Sequence, residues 1–547
     1  MSPRPDRRRV KLMDKVLEIG KISASGSFKL FVGTSISTIV MAIGTIILAR
    51  VLTPDEYGLY SVALIPLSMI ILFRDWGVNS AITKYLVNCR TENRNDKMRN
   101  VIIGGLCFEV VVGLALSILS FLSASLIATT VFQRPESSPL IAIVSVAVFS
   151  GSLIALAQSS FIGSDRMGLN SFVAVFQSIV KSVVGPVLIV VFGYGVLGAV
   201  VGYSSSFLLA GILSCGILYF ALIRNLPKSM NGPKESSLSE TLKSLLRYGV
   251  PLSISTIIGG FSGQFYGFMM ASFCDNTMIG NFQIALNFAI LLTFITGPIS
   301  TVLFPAFAKL DLINDHQLLR SAFSSSVKYG AFLLLPATLA VMVLSEPMVS
   351  VLFGEKWVYS AFFLTLYAAN NLLAFFGNLS LGSFLFGLGE TKMLMKLGLI
   401  TTICGVPLAF LLVPSFGILG VILGGILSGL PGMCWGLYWI WKRYGVRADF
   451  GSSARILLAS AMAAAATLVF LDLFRVTEWL RLVAGGTIFI AVYIVSAPLV
   501  GAINQNDTKI LKVMLGGLGI VSWIVNMVLA IMEKLTLHNE EARARNK

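Results

Sequence analysis

The run LGLITTICGVPLAFLLVPSFGILGVILGGILSGLPGMCWGLYWIW, from Leu397 to Trp441, holds no Asp, Glu, Lys or Arg. A helix needs about 20 apolar residues to cross a bilayer. This stretch therefore supplies two crossings back to back, with a short turn near 414–415. A second uncharged run, IAIVSVAVFSGSLIALAQSSFIG from Ile141 to Gly163, supplies another. Across all 547 residues 56% are hydrophobic and 12% are charged. Soluble domains carry about 25% charged residues, so this chain cannot wet the surface of several soluble domains. It reads as an all-α polytopic membrane protein, which excludes a soluble enzyme, a nucleic-acid-binding domain and a disordered scaffold.

Fourteen spans follow from the apolar runs, at about 28–49, 59–83, 101–122, 139–162, 168–192, 195–222, 249–271, 278–307, 327–352, 359–387, 392–413, 416–441, 455–473 and 481–502. Basic residues collect in alternate loops. The N-terminal tail holds Arg4, Arg7, Arg8, Arg9, Lys11, Lys15 and Lys21, and the loop after span two holds Lys84, Arg90, Arg94, Lys97 and Arg99. Further clusters follow spans six, eight and twelve, while the intervening loops are nearly empty of Lys and Arg. Positive residues stay inside, so the net charge of +15 describes topology rather than nucleic-acid binding. It places the N-terminus in the cytoplasm of a multi-pass cell-membrane protein. Residues 10–22 mix Leu12, Met13, Val16 and Leu17 with lysines, a spacing that suits an amphipathic helix on an anionic leaflet. The uncharged segment 513–532 is long enough for a fifteenth span or for an interfacial helix.

Two matches at one offset indicate an internal repeat. Gly58-Leu-Tyr-Ser-Val-Ala63-Leu64 aligns with Gly280-Asn-Phe-Gln-Ile-Ala285-Leu286, and Gly195-Val-Leu-Gly198 with Gly417-Ile-Leu-Gly420, each 222 residues on. Six helices separate the copies, so the repeats are parallel. Transporters built from two such bundles rock one against the other around a central site. The expected parts are a basic N-terminus (1–27), a six-helix lobe (28–222), a cytoplasmic linker (223–248), a second six-helix lobe (249–441), two extra helices (455–502) and a C-terminal segment (503–547).

His316 and His538 are the only histidines, and none of the six cysteines forms a CxxC pair. Neither a zinc site nor a disulfide framework is expected. The chain carries no G-x-x-x-x-G-K-[ST], so it has no Walker-type ATPase of its own, and no cofactor is expected.

Four stretches resemble the multidrug/oligosaccharidyl-lipid/polysaccharide exporter superfamily in its polysaccharide-transport, O-antigen-flippase-like branch. They are Leu48-Ala-Arg-Val-Leu-Thr-Pro-Asp-Glu-Tyr-Gly-Leu-Tyr60, Asp75-Trp-Gly-Val-Asn-Ser-Ala81, Phe304-Pro-Ala-Phe307 and Glu346-Pro-Met-Val-Ser-Val-Leu-Phe-Gly-Glu-Lys-Trp357. The resemblance implies a flippase for lipid-linked saccharides. Similar proteins often carry an acid within span seven, where this chain has Gln264-Phe-Tyr266. The resemblance therefore carries no cation-coupling role over to that helix.

Ionisable groups in mid-membrane cost from about 3 kcal/mol upward and need a partner or a wet cavity. Arg74 and Asp75 fall in span two, Glu109 in span three and Lys181 in span five. Arg74 and Glu109 lie at a similar depth, roughly 13 Å at helical rise, and are candidates to pair. Lys181 sits near the midplane, with no acid at an obviously matching depth, and Gln177 lies one turn below it. A midplane lysine without an acid suits a watery cavity that receives an anion. In the second half the spans offer the amides Gln264, Gln283, Asn287, Asn370, Asn371 and Asn378, more often packing groups than sugar ligands.

The expected function is therefore a flippase that moves a lipid-linked oligosaccharide or polysaccharide precursor by alternating access. Its substrate would be a polyprenyl or dolichyl phosphate or pyrophosphate carrying the saccharide, within membrane lipids. Lys181, Arg74 and Gln177 would bind the headgroup, and Asp75 or Glu109 would carry a coupling H+ or Na+. The alternative is a cation-coupled drug or metabolite antiporter of the same superfamily. A membrane glycosyltransferase is disfavoured by loops too short for a catalytic domain.

Overall fold

The computed structural model describes residues 7–92, 94–226, 238–308, 316–474, 476–515 and 527–537; side chains within 7–27 lie outside that description. Every element is helical, with no strand among the described residues. Apolar chain in a bilayer must satisfy its backbone internally, and a helix does so. Eleven described helices are long and apolar enough to cross a membrane, and a bent pair makes a twelfth. Two more helices, Leu238–Phe273 and Asn276–Ala308, have 36 and 33 residues.

Packing divides the chain after Gly280. The first unit contains α1 (Arg7–Val51), α2 (Pro54–Arg74), α3 (Val78–Thr91), α4 (Asn95–Leu126), α5 (Ser138–Val144), α6 (Val146–Gly163), α7 (Met167–Val190), α8 (Gly195–Ala221) and α9 (Leu238–Phe273). By the helix count, α9 opens the second bundle. It packs instead on α2, α3 and α4. The amphipathic segment expected at 10–22 forms part of the α1 backbone, but its side chains lie outside the described residues.

The start of α2 is set locally. Thr53 Oγ1 accepts from Glu56 N at 3.2 Å, and Thr53 N donates to Glu56 Oε2 at 2.8 Å. This reciprocal cap, with Pro54 in the first turn, is the capping box. A glycine seam holds this end: Gly58 lies against the backbone of Asn276, and Gly280 against the carbonyl of Pro54. Serines join α7 to α1, with Ser171 Oγ donating to Lys29 O at 3.0 Å and Ser182 Oγ to Val40 O at 2.9 Å. A core of Ile82, Leu86, Ile102, Phe161, Val173 and Leu245 fills the unit beneath.

Span two is not the continuous helix that its apolar pattern suggests. It breaks between α2 and α3, where Gly77 adopts φ +70°. Glycine enters this left-handed region without the Cβ penalty. Its bare Cα also lets the backbone of Gly249 in α9 come into contact.

α10 (Asn276–Ala308) leads into the second unit, which contains α11 (His316–Val343), α12 (Ser345–Phe353), α13 (Ser360–Ala368), α14 (Asn378–Gly387), α15 (Thr391–Phe416), α16 (Ile418–Tyr444), α17 (Phe450–Leu473), α18 (Glu478–Val500), α19 (Gln505–Leu515) and α20 (527–537). The expected ninth span ends early, with α12 a separate short helix. The expected tenth is bent by 57° at Gly377, φ +90°. Glu346, in the first turn of α12, faces Arg481 at 3.7 Å, while Arg481 also pairs with Glu478 at 2.7 Å.

Lys512 Nζ and Glu533 Oε2 are 2.5 Å apart. The fifteenth span or interfacial helix expected at 513–532 falls largely on residues outside the description. Leu511, Leu529 and Met532 join the core formed by α11, α17 and α18.

Candidate functional site

All four ionisable groups singled out in the spans belong to the first unit. The break after α2 redirects two of them. Asp75 caps the end of α2, and its Oδ1 accepts from Asn79 N at 3.1 Å. A carboxylate there satisfies a free donor at the start of α3.

The expected Arg74–Glu109 pair does not form. No ion pair within 4 Å joins them among the described residues. Glu109 is bound instead through an amide. Asn79 Nδ2 donates to Glu109 Oε1 and to Asp75 Oδ1, both at 2.8 Å. Glu109 is 0% exposed, and its Oε2 has no hydrogen-bond partner. The reading that paired Arg74 with Glu109 assumed an unbroken helix, in which adjacent residues diverge by about 100°. The turn at 75–77 removes that assumption and brings Asp75 onto Asn79.

Arg74 is buried against α6 and α8. Its Nη1 lies 2.7 Å from where a Cβ on Gly151 would stand, and the Phe207 ring is 3.6 Å from the same point. Its Nε has no partner. Phe207 continues the line to Tyr203, ring centroids 5.0 Å apart. Lys181 Nζ lies over the Tyr203 ring, 5.0 Å from its centroid, and no carboxylate pairs with it among the described residues. Tyr60 of α2 closes on Tyr203 at 6.4 Å. Gln177, one turn below Lys181 on α7, is partly buried.

The structure thus groups Asp75, Asn79 and Glu109 by hydrogen bonds and Lys181 with the rings of Tyr203 and Phe207, with Arg74 buried beside Gly151. A cation held over an aromatic face keeps its N–H donors, which suits an anion. The carboxyl pair suits a cation or proton. Sequence reasoning passed over Asn79 and Tyr203. Asn79 stands four residues after Asp75, a spacing that places two side chains on one helix face, so it was findable. Tyr203 lies within an apolar run that reads as lipid-facing. The amides of the second half fall on separate elements: α10, the 369–376 turn and α14, with Gln264 on α9.

A family model described as polysaccharide biosynthesis protein matches residues 47–361, and one described as lipid II flippase MurJ matches residues 260–493. Lipopolysaccharide biosynthesis protein WzxC of Escherichia coli (strain K12) is 25% identical over 411 residues, covering 73% of this chain and 75% of the relative. The probable low-salt glycan biosynthesis flippase Agl15 of Haloferax volcanii is 22% identical over 190 residues, covering 34% and 39%. Among solved structures, lipid II flippase MurJ in an inward closed conformation superposes with a TM-score of 0.68 at 17% identity, covering 86% of this chain and 98% of that one. An inward-facing multidrug resistance MATE family transporter of the MOP superfamily gives 0.62 at 18% identity, covering 76% and 98%. These structural likenesses establish the fold.

Proposed function

The chain belongs to the polysaccharide biosynthesis protein family, within the multidrug/oligosaccharidyl-lipid/polysaccharide exporter superfamily, and on that basis we propose that it flips a lipid-linked saccharide precursor across the cell membrane by alternating access. The headgroup of such a lipid carries phosphate and many hydroxyls, and crossing hydrocarbon unaided would strip their hydrogen bonds. The observation that carries the reading is Lys181, placed within a span and held by the Tyr203 ring rather than by an acid. Lys181 takes the phosphate, with Arg74 and Gln177 as further contacts. The Asp75–Asn79–Glu109 cluster takes the coupling ion.

Fourteen spans with a cytoplasmic N-terminus complete the proposed architecture. Support for two parallel repeats comes from the seam at the start of α2. Gly58 meets Asn276 and Gly280 meets Pro54, and both 54 with 276 and 58 with 280 differ by the repeat offset of 222. Reciprocal contact of this kind is what two copies of one motif make. The drug-antiporter reading has fold likeness behind it, but a bare lysine repels a cationic drug.

The test is flipping in proteoliposomes of a fluorescent polyprenyl diphosphate-linked sugar, read by quenching of outer-leaflet label. The purified protein should equilibrate the probe between leaflets and leave an uncharged polyprenyl alcohol unaffected. Equal handling of both lipids would overturn the reading.

A further inference from the structure

In the second unit, one end of α16 gathers charge that the proposed mechanism does not use. α15 and α16 pack side by side, and the start of α15 is tied to the end of α16 through Glu390. Tyr444 Oη donates to Glu390 Oε1 at 2.7 Å, and Arg443 meets the same carboxylate at 3.1 Å. Arg320 of α11 lies against Gly445, whose φ of +62° ends α16.

Lys442 and Arg443 stand in the last turn of α16, where cations complement the helix end. That explanation does not reach Arg447, which lies beyond the helix. Its guanidinium is 4.9 Å from the Trp441 ring centroid. Neither Arg447 nor Lys442 forms an ion pair among the described residues, and both are exposed. The next acid, Asp449, is engaged by Ser452. A cation over a ring keeps its N–H donors free for an anion.

An independent observation concerns the rings. Trp435, Tyr438 and Trp441 are 52%, 48% and 43% exposed, on a helix long and apolar enough to cross a membrane. Successive ring centroids are 6.4 and 5.9 Å apart. The line runs about 9 Å along α16 at helical rise and ends beneath Arg447. Exposed Trp and Tyr on a spanning helix mark the level of lipid headgroups. Rings leading to unpaired cations match a molecule with an apolar chain and an anionic head.

We propose that this end of α16 binds one anionic glycerophospholipid, with its phosphodiester on Arg447 and Lys442 and an acyl chain along Trp441, Tyr438 and Trp435. The planar guanidinium matches phosphate oxygens two at a time, and basic clusters beside membrane helices hold such headgroups. The site belongs to the second unit and does not depend on the flipping reading.

Tryptophan quenching by brominated lipids, in the reconstituted full-length protein, tests this. Brominated phosphatidylglycerol diluted into unlabelled phosphatidylcholine should quench with a relative affinity about fivefold above that of brominated phosphatidylcholine, the attraction of one surface cation. Arg447→Gln combined with Lys442→Gln keeps the reporter rings and should abolish the excess. Trp441→Phe keeps the charges and should remove most of the excess signal. Equal quenching by the two lipids in the unaltered protein would overturn the proposal. A preference that survives the paired charge substitutions, or is untouched in Trp441→Phe, would do the same. Loss of the excess on adding inorganic phosphate or a hexaglutamate peptide, at constant ionic strength, would assign the site to a soluble anion or an acidic protein segment and also overturn it.

Discussion

The two compact units treat charge differently. In the first, Arg74, Asp75, Glu109 and Lys181 lie within or at the break of spans. In the second, the acids Asp507 and Glu390 stand at a helix start and a cap, and Lys328, within a span, is paired with such an acid. Lys328 of α11 meets Asp507 at 2.6 Å, Tyr329 Oη donates to the same acid at 3.0 Å, and Arg443 meets Glu390 at 3.1 Å. Carrying the 222-residue offset across, the positions matching Arg74, Asp75, Glu109 and Lys181 are Thr296, Gly297, Ala331 and Ile403. On the proposed repeat and site, the two copies differ in this: unpaired Lys181 stands in the first, whereas Lys328 of the second is paired with Asp507.

The sharpest way to break this comparison is to exchange chemistry at matched positions. Lys181→Ala should slow flipping of the diphosphate-linked probe about a hundredfold, close to 2.8 kcal/mol at 1.4 kcal/mol per decade, the scale of a hydrogen bond to a charged group. Ile403→Ala should leave the rate unchanged. A similar loss in both would mean that the halves share the load.

Each unit also breaks a helix at a glycine with positive φ, and the surroundings differ. A Cβ on Gly77 meets the backbone of Gly249, whereas one on Gly377 meets a methyl of Val327 at 2.8 Å. A side chain can yield where backbone cannot. Gly77→Ala should cost about 2 kcal/mol or more from left-handed strain and contact together, and more than Gly377→Ala, as read by thermal unfolding in detergent.

Asp507→Asn should lower thermal stability by about 1.5 kcal/mol, since Lys328 would lose a charge-assisted hydrogen bond. Flipping by the folded fraction should be unaffected, because nothing in the proposed mechanism uses Lys328. The smallest effect belongs to Asp449, which caps α17 by accepting from Ser452 N at 3.1 Å and Ser452 Oγ at 2.5 Å. Asp449→Ala should cost about 1 kcal/mol. Those hydrogen bonds from Ser452 hold the Asp449 carboxyl below its ordinary range. Its contribution is therefore present above the unfolded-state value and lost as pH falls through the folded one. Unfolding scans at neutral and acid pH should show wild type and Asp449→Ala converging in acid.

Much of this was legible in the residues. Uncharged runs locate most spans because lipid imposes one solution on the backbone, although α2 starts at Pro54, ahead of the expected 59, where Thr53 and Glu56 form its cap. The break at Gly77 was not legible, because Trp76 and Val78 continue the apolar pattern across it. Depth arithmetic on a continuous helix then put Arg74 beside Glu109 and missed Asn79. The lysine at 181 was visible as a charge without an acid, but its support by Tyr203 depends on α7 packing against α8, which spacing within one helix cannot reveal.

The most direct measurement is the affinity of the purified protein for farnesyl diphosphate, a short phosphorylated isoprenoid, by titration calorimetry in detergent. Wild type and Lys328→Ala should bind it alike, farnesol should not compete, and Lys181→Ala should bind at least about tenfold more weakly, a loss near 1.4 kcal/mol. Undiminished binding in Lys181→Ala would contradict the assignment of the anion to the first unit.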